Sequence, residues 1–249
     1  MIVVIGHPIL RAAALGGGAG GTVARIAVTA AVAGRAVQLV GKVGDDPEGD
    51  ALLLALAEAG VGHVALLRDP ARRTPVVVAE SAGADEGAPT GDAADLADDD
   101  ALDEPAPHTI EPPDPAARPT LEPADVELAL RYLSDYRVIV VAEPGRADLV
   151  EVAAAAAGYG GAALIVLVAP GSDGPAGATV IVAPASDPDG TFGTLVGTLA
   201  ADLDADTLPD GGIGGAASRL GWTRADDADE TDGRLDDSDD PDDPDGAEG

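Results

Sequence analysis

Cysteine is absent from this 249-residue chain, lysine occurs once, and aromatic residues make up 2% of it. Without cysteine there is no disulfide framework, no thiolate zinc site and no redox chemistry on protein thiols. With so little Phe, Tyr and Trp the core must come from Ala, Val, Leu and Gly, so each buried side chain removes less apolar area from water than a Phe or Ile would. No apolar run approaches the roughly 20 residues a membrane-spanning helix needs. The opening MIVVIGHPIL lacks the length and charged start of a signal peptide. A soluble, cytoplasmic protein is the expectation.

Positive charge is also scarce: 14 Lys and Arg face 45 Asp and Glu, for a formal net charge of -31. Such a field repels nucleic-acid backbones and anionic membranes, whose binding relies on clustered Lys and Arg, so neither partner is expected. The acid, mostly Asp, reads as adaptation to molar salt, where counter-ions screen self-repulsion. In low salt the same charge should destabilise the fold. The 46% hydrophobic content supplies material for one core with polar appendages.

Along the chain, the apolar run Ile2 to Ile5 ends in Gly6 and suits a buried first strand, and Gly16 to Gly21 requires a loop. Thr22 to Ala33, followed by Gly34, predicts a helix closed by a glycine. Val37 to Val40 is strand-like. Asp45 and Asp46 before Pro47 place a cap and a first-turn proline at the start of a second helix that Gly60 stops. His63 to Leu67 and Pro75 to Ala79 flank Asp69-Pro70 and predict an antiparallel pair.

Residues 81–123, rich in Asp, Glu, Ala and Pro, follow neither helix nor strand periodicity and predict a disordered insertion. A helix from about Pro123 to Ser134, a strand Arg137 to Ala142, a helix from about Arg146 to Ala157 and a strand Ala163 to Val168 then alternate, the pattern of a parallel sheet covered by helices. A strand Thr179 to Ala183, a loop Pro184 to Gly190 and a helix to about Leu203 follow. The expected organisation is 1–80 with two lid strands, the insertion 81–123, a C-terminal part 124–222 of the same domain, and an acidic disordered tail 223–249.

The stretch from Gly20 to Val61 resembles the first signature region of the ribokinase/PfkB family of sugar kinases, and Gly41-Lys42-Val43-Gly44-Asp45-Asp46-Pro47-Glu48-Gly49-Asp50 matches it almost letter for letter. The strands around Arg73-Thr74-Pro75 sit where that family carries its β lid. Val140-Val141-Ala142-Glu143-Pro144 is similar to its strand ending in an acidic residue. The resemblance implies a ribokinase-like three-layer α/β/α domain with a small β lid and a shortened C-terminal half. It also implies transfer of the γ-phosphoryl group of ATP, with Mg²⁺, to a hydroxyl of a small molecule.

Such a site needs groups that bind hydroxyls, an anion hole and a base. Where the resemblance puts the hydroxyl-binding Asp and Asn, this chain has Arg11 and Arg25, beside Gly20, Gly21 and Lys42. Guanidinium groups suit planar recognition of carboxylate or phosphate. The bland reading is that both arginines are surface ion-pair partners and that Lys42 pairs with Asp45 or Asp46.

The second signature is matched by Asp187-Pro188-Asp189-Gly190-Thr191-Phe192-Gly193. This register puts Gly190 in the anion hole and Gly193 where the base belongs, leaving Asp187 and Asp189 as the base candidates. In a second register the whole second signature is deleted. Asp187 and Asp189 also suit a helix cap, the commoner use of Asp at such a site. His7, His63 and His108 show no ligand spacing, so no metal site is indicated.

The leading expectation is a PfkB-like protein that binds a small, anionic metabolite, with phosphoryl transfer lost or weak. The alternatives are an active carbohydrate or nucleoside kinase, and an interaction protein that dimerises through the lid.

Overall fold

Two sheets share the described part of the molecule. The computed structural model describes residues 1–79, 107–110, 118–187 and 189–207. The larger sheet runs β10-β9-β8-β1-β4-β5, every pairing parallel. Its strands are β1 (Ile2–Ile5), β4 (Val37–Gly44), β5 (Gly62–Asp69), β8 (Val138–Val141), β9 (Ala163–Val168) and β10 (Thr179–Val182). The smaller sheet runs β3-β2-β6-β7, from β2 (Ile9–Arg11), β3 (Ala19–Gly20), β6 (Val76–Ala79) and β7 (Pro107–Ile110).

The central strands read as unbroken apolar runs because both faces are covered. On one face Val3, Ile5, Ile139, Val141 and Val166 pack with Val126 and Leu130 of α3 (Pro123–Tyr132) and with Leu149 and Ala153 of α4 (Ala147–Gly160). The alternate residues Ile2, Val4, Leu39, Val138, Val140 and Ile165 are buried on the other face. There α1 (Gly21–Val32) and α5 (Thr191–Ala205) cover the central strands, while α2 (Pro47–Glu58) packs on β4 and β5. This is the ribokinase-like three-layer α/β/α architecture, with the small sheet in the place of the expected lid.

Local chemistry sets the helix ends. The Asp46 side chain caps α2 by accepting from the Gly49 N–H at 2.8 Å, with Pro47 in the first turn. Gly34, at φ +78°, lets the chain leave α1 and turn into β4. α5 presses closely on α1 because Gly193 and Gly197 carry no side chain: a Cβ at Gly197 would stand 2.7 Å from the carbonyl oxygen of Ile26.

Three expectations are corrected. The stretches 63–67 and 75–79 do not form an antiparallel pair. β5 lies parallel to β4 at the edge of the main sheet, reached by the α2 crossover, while β6 pairs parallel with β2 and antiparallel with β7. The segment 81–123 is not without structure: Pro107–Ile110 form β7, and Leu121 is fully buried just before α3. The glycine-rich stretch is not all loop, because Ala19–Gly20 form β3 against β2. The rest of the insertion, and the tail expected from residue 223, lie outside the described residues.

Candidate functional site

Strand order reverses at β1: its neighbour on one side is β4 and on the other β8. In open parallel sheets ligands bind outside the carboxyl ends of the strands at such a switch point. The residues gathered there come from the segments that follow β1, β4 and β8, and from the stretch that leads into α3.

Just past β1, the His7 backbone N–H and Nδ1 both bond Oε1 of Glu143, which follows β8, at 2.5 and 2.7 Å. His7 Nε2 accepts from the Leu121 N–H at 3.1 Å, which assigns the proton to Nδ1. The Leu121 carbonyl accepts from Arg146 at 2.7 Å. Burial pushes the Glu143 carboxyl up, but the hydrogen bonds from the His7 ring and backbone N–H, with the Arg146 guanidinium nearby, hold it below its ordinary value. Sequence reading gave His7 no role. Lys42 pairs with Asp125 at 3.1 Å, not with Asp45 or Asp46 as expected, because the turn into α3 brings Asp125 beside β4.

The expected substrate-binding residues other than Lys42 lie together with the expected anion-hole glycine and one of the two base candidates. Arg11, Gly20, Gly21, Arg25, Asp187 and Gly190 line one cavity of about 80 Å³, together with Ala19. It sits where the β2–β3 hairpin meets the N-termini of α1 and α5. The glycines shape it. The Arg11 stem lies across Gly20, where a Cβ would come within 2.6 Å of Arg11 Cγ, and the Arg25 guanidinium lies across Gly190, where a Cβ would come within 2.5 Å of its Nε. Gly190 itself has φ +68°, which favours glycine.

Among the described residues neither Arg11 nor Arg25 has an ion-pair partner, whereas Arg35, Arg68, Arg131, Arg137 and Arg146 each pair with a carboxylate. The Nε of Arg11 is buried without a hydrogen-bond partner. The volume fits a compact oxyanion group and lies far below the roughly 300–1,000 Å³ of pockets that enclose a whole metabolite.

Asp187 belongs to the cavity wall but faces the helix. Its Oδ1 accepts from the Phe192 N–H at 3.0 Å and its Oδ2 from the Gly193 N–H at 2.9 Å, so it caps α5, the commoner of its two expected uses. Asp189 is exposed and is not part of the cavity wall. Gly193 is buried, and a Cβ there would stand 2.7 Å from Arg25 Cγ. The position that the resemblance gives to the base is therefore packed against the Arg25 side chain.

A larger groove of about 590 Å³ runs between α3 and α4, lined by residues such as Leu130, Tyr136, Val152 and Tyr159. Its arginine, Arg131, is paired with Glu127 at 2.5 Å, and Tyr136 puts the groove at the opposite end of β8 from the switch point. Among the described residues no cluster of three or more His, Asp or Glu is placed to hold a metal ion, and no helix is long and apolar enough to cross a membrane.

The sheet order and its helical layers are thus those of a ribokinase-like α/β fold. Residues 6–106 match the model of the pfkB family carbohydrate kinases. No curated protein matches the chain. Among solved structures, Sa239 is 14% identical with a TM-score of 0.55, the match covering 91% of this chain and 95% of that one. Fructokinase with bound ATP from Xylella fastidiosa is 22% identical with a TM-score of 0.47, over 92% of this chain and 63% of that one. An uncharacterized sugar kinase from Pyrococcus horikoshii is 17% identical with a TM-score of 0.46, over 67% of this chain. The chain spans 54% of the length of that kinase.

Proposed function

We propose that this protein uses a sugar-kinase fold to bind a small anionic metabolite and that its phosphoryl transfer is lost or weak. The observation that carries the reading is the convergence of Arg11 and Arg25, neither of which has an ion-pair partner among the described residues, on one glycine-walled cavity beside the start of α5. Guanidinium groups recognise carboxylate or phosphate through paired N–H donors, whereas vicinal hydroxyls are better gripped by acceptors. Lys42, the remaining expected binding residue, is neutralised by Asp125 and contributes no free charge.

Phosphoryl transfer from ATP needs N–H groups free to meet the phosphates and a base for the attacking hydroxyl. Here Asp187 holds two first-turn N–H groups of α5, and the base position is Gly193. The residues present do not fit ATP in a catalytic pose, so no catalytic step is assigned to it. An active kinase would need Asp187 or Asp189 as its base.

The test is equilibrium binding, in molar KCl, of a panel of sugars and nucleosides beside their phosphates and carboxylates. Anionic members should raise the melting temperature, and the rise should disappear in Arg11→Gln and Arg25→Gln. Equal stabilisation by neutral and anionic members, or shifts that survive both substitutions, would remove the reading.

A further inference from the structure

We infer that Asp187 is an internal competitor for the anion site, its carboxylate occupying the α5 N–H groups that an incoming anionic group would otherwise share with Arg11 and Arg25. The inference rests on the anion-site reading above and adds a regulatory element to it. The first N–H groups of a helix have no partner within the helix and carry partial positive charge, so an anion there is stabilised whether it comes from a side chain or from a ligand. Asp187 uses both carboxylate oxygens on two of them, Phe192 and Gly193.

The same residue lines the cavity that holds Arg11 and Arg25, and that cavity measures about 80 Å³. The Phe192 and Gly193 N–H groups that Asp187 occupies cannot serve its carboxylate and a ligand's oxyanion at full contact together. Arg11 and Arg25 have no ion-pair partner among the described residues, Asp187 included. The carboxylate therefore satisfies the helix while leaving the guanidinium groups to the ligand.

Binding by this account is an exchange. The ligand's anionic group takes the arginines and displaces Asp187 from the α5 N-terminus. The Asp187 carbonyl accepts from the Gly190 N–H at 3.2 Å, and Gly190 occupies the left-handed conformation, so displacement of Asp187 loosens the turn that starts α5. Occupancy of the site is thereby coupled to the order of that turn.

The experiment titrates inorganic phosphate into the full chain by calorimetry at fixed molar KCl, with wild type, Asp187→Asn, Arg11→Gln and Arg25→Gln. Asn retains a neutral acceptor for the helix cap. Asp187→Ser serves as a second variant, and circular dichroism checks folding. Asp187→Asn should bind phosphate roughly fivefold to tenfold more tightly than wild type, each arginine variant at least roughly tenfold more weakly. In amide NMR spectra of wild type, the Phe192 and Gly193 resonances should move as phosphate is added.

Arginine-dependent binding with no gain in Asp187→Asn or Asp187→Ser, and with both amides unmoved, would overturn the competition and leave the anion site standing. Phosphate binding that no arginine substitution weakens, or no binding by any variant, would overturn both.

Discussion

Glu143 and His7, 136 positions apart in sequence, are joined at the switch point of the sheet by a 2.7 Å hydrogen bond between Oε1 and Nδ1. The bond ties the end of β8 to the end of β1 and, through Nε2, to the backbone of Leu121. Burial raises the Glu143 pKa, but the His7 interactions prevail and hold it below the ordinary glutamate value. A carboxylate whose folded-state pKa is depressed contributes stability that is complete above its unfolded-state value and is lost as pH falls through the folded-state value. The urea midpoint of wild type should therefore fall on acidification through the glutamate range more steeply than that of Glu143→Gln. Parallel pH profiles for the two proteins would contradict this.

Asp46 has a second duty beyond capping α2. Its Oδ2 accepts from the Thr74 N–H at 2.8 Å and its Oδ1 from the Thr74 hydroxyl at 2.6 Å, so one carboxylate anchors both α2 and the lead into β6. Burial raises its pKa, but the Thr74 and Gly49 bonds and the charge of Arg73 leave it lowered. Asp46→Ala removes a cap and strands the buried Thr74 N–H, and should cost about 2–3 kcal/mol in urea unfolding. A loss below about 0.5 kcal/mol would show that the anchoring is dispensable.

Gly197 is where α5 comes closest to α1. An alanine Cβ would stand 2.7 Å from Ile26 O and 2.7 Å from Thr29 Cβ, one of them backbone that cannot swing aside. Gly197→Ala should destabilise by about 1–2 kcal/mol despite the better helix propensity of alanine. The control is Gly158→Ala in α4, where a Cβ meets nothing within 4 Å and the change should be neutral or stabilising. Equal effects at the two positions would contradict the tight seam.

The charge of -31 predicts a salt response. Self-repulsion is screened as the Debye length shrinks from about 10 Å at 0.1 M to about 3 Å at 1 M, so the melting temperature should rise steadily with KCl. A melting temperature independent of KCl over that range would remove the salt-adaptation reading.

Much of the fold was legible because its signals are local. The run Ala163 to Val168 is β9, the Asp46-Pro47 pair starts α2, and the glycines at 34 and 60 close two helices. Pairing partners were harder. The Asp69-Pro70 turn suggests a hairpin, yet β5 takes its partner through the α2 crossover and β6 leaves for the other sheet, a choice made by packing rather than by the turn. Side-chain partners chosen by strand order were out of reach: Lys42 finds Asp125 from 83 positions away, and His7 finds Glu143 only once β1 and β8 are known to be neighbours. The two arginines were singled out through a motif register, at the places that the resemblance gives to hydroxyl-binding residues. Their meeting with Asp187 and Gly190 depends on α5 folding back onto α1.

The most direct test of the central claim is chromatographic detection of ADP formed from ATP and Mg²⁺ in molar KCl, with sugars, nucleosides and their phosphates as acceptors. The account predicts no acceptor-dependent ADP from folded protein that the anionic members of the same panel stabilise. Acceptor-dependent ADP at enzymatic rates, lost on mutating Asp187 or Asp189, would contradict it and establish a working kinase.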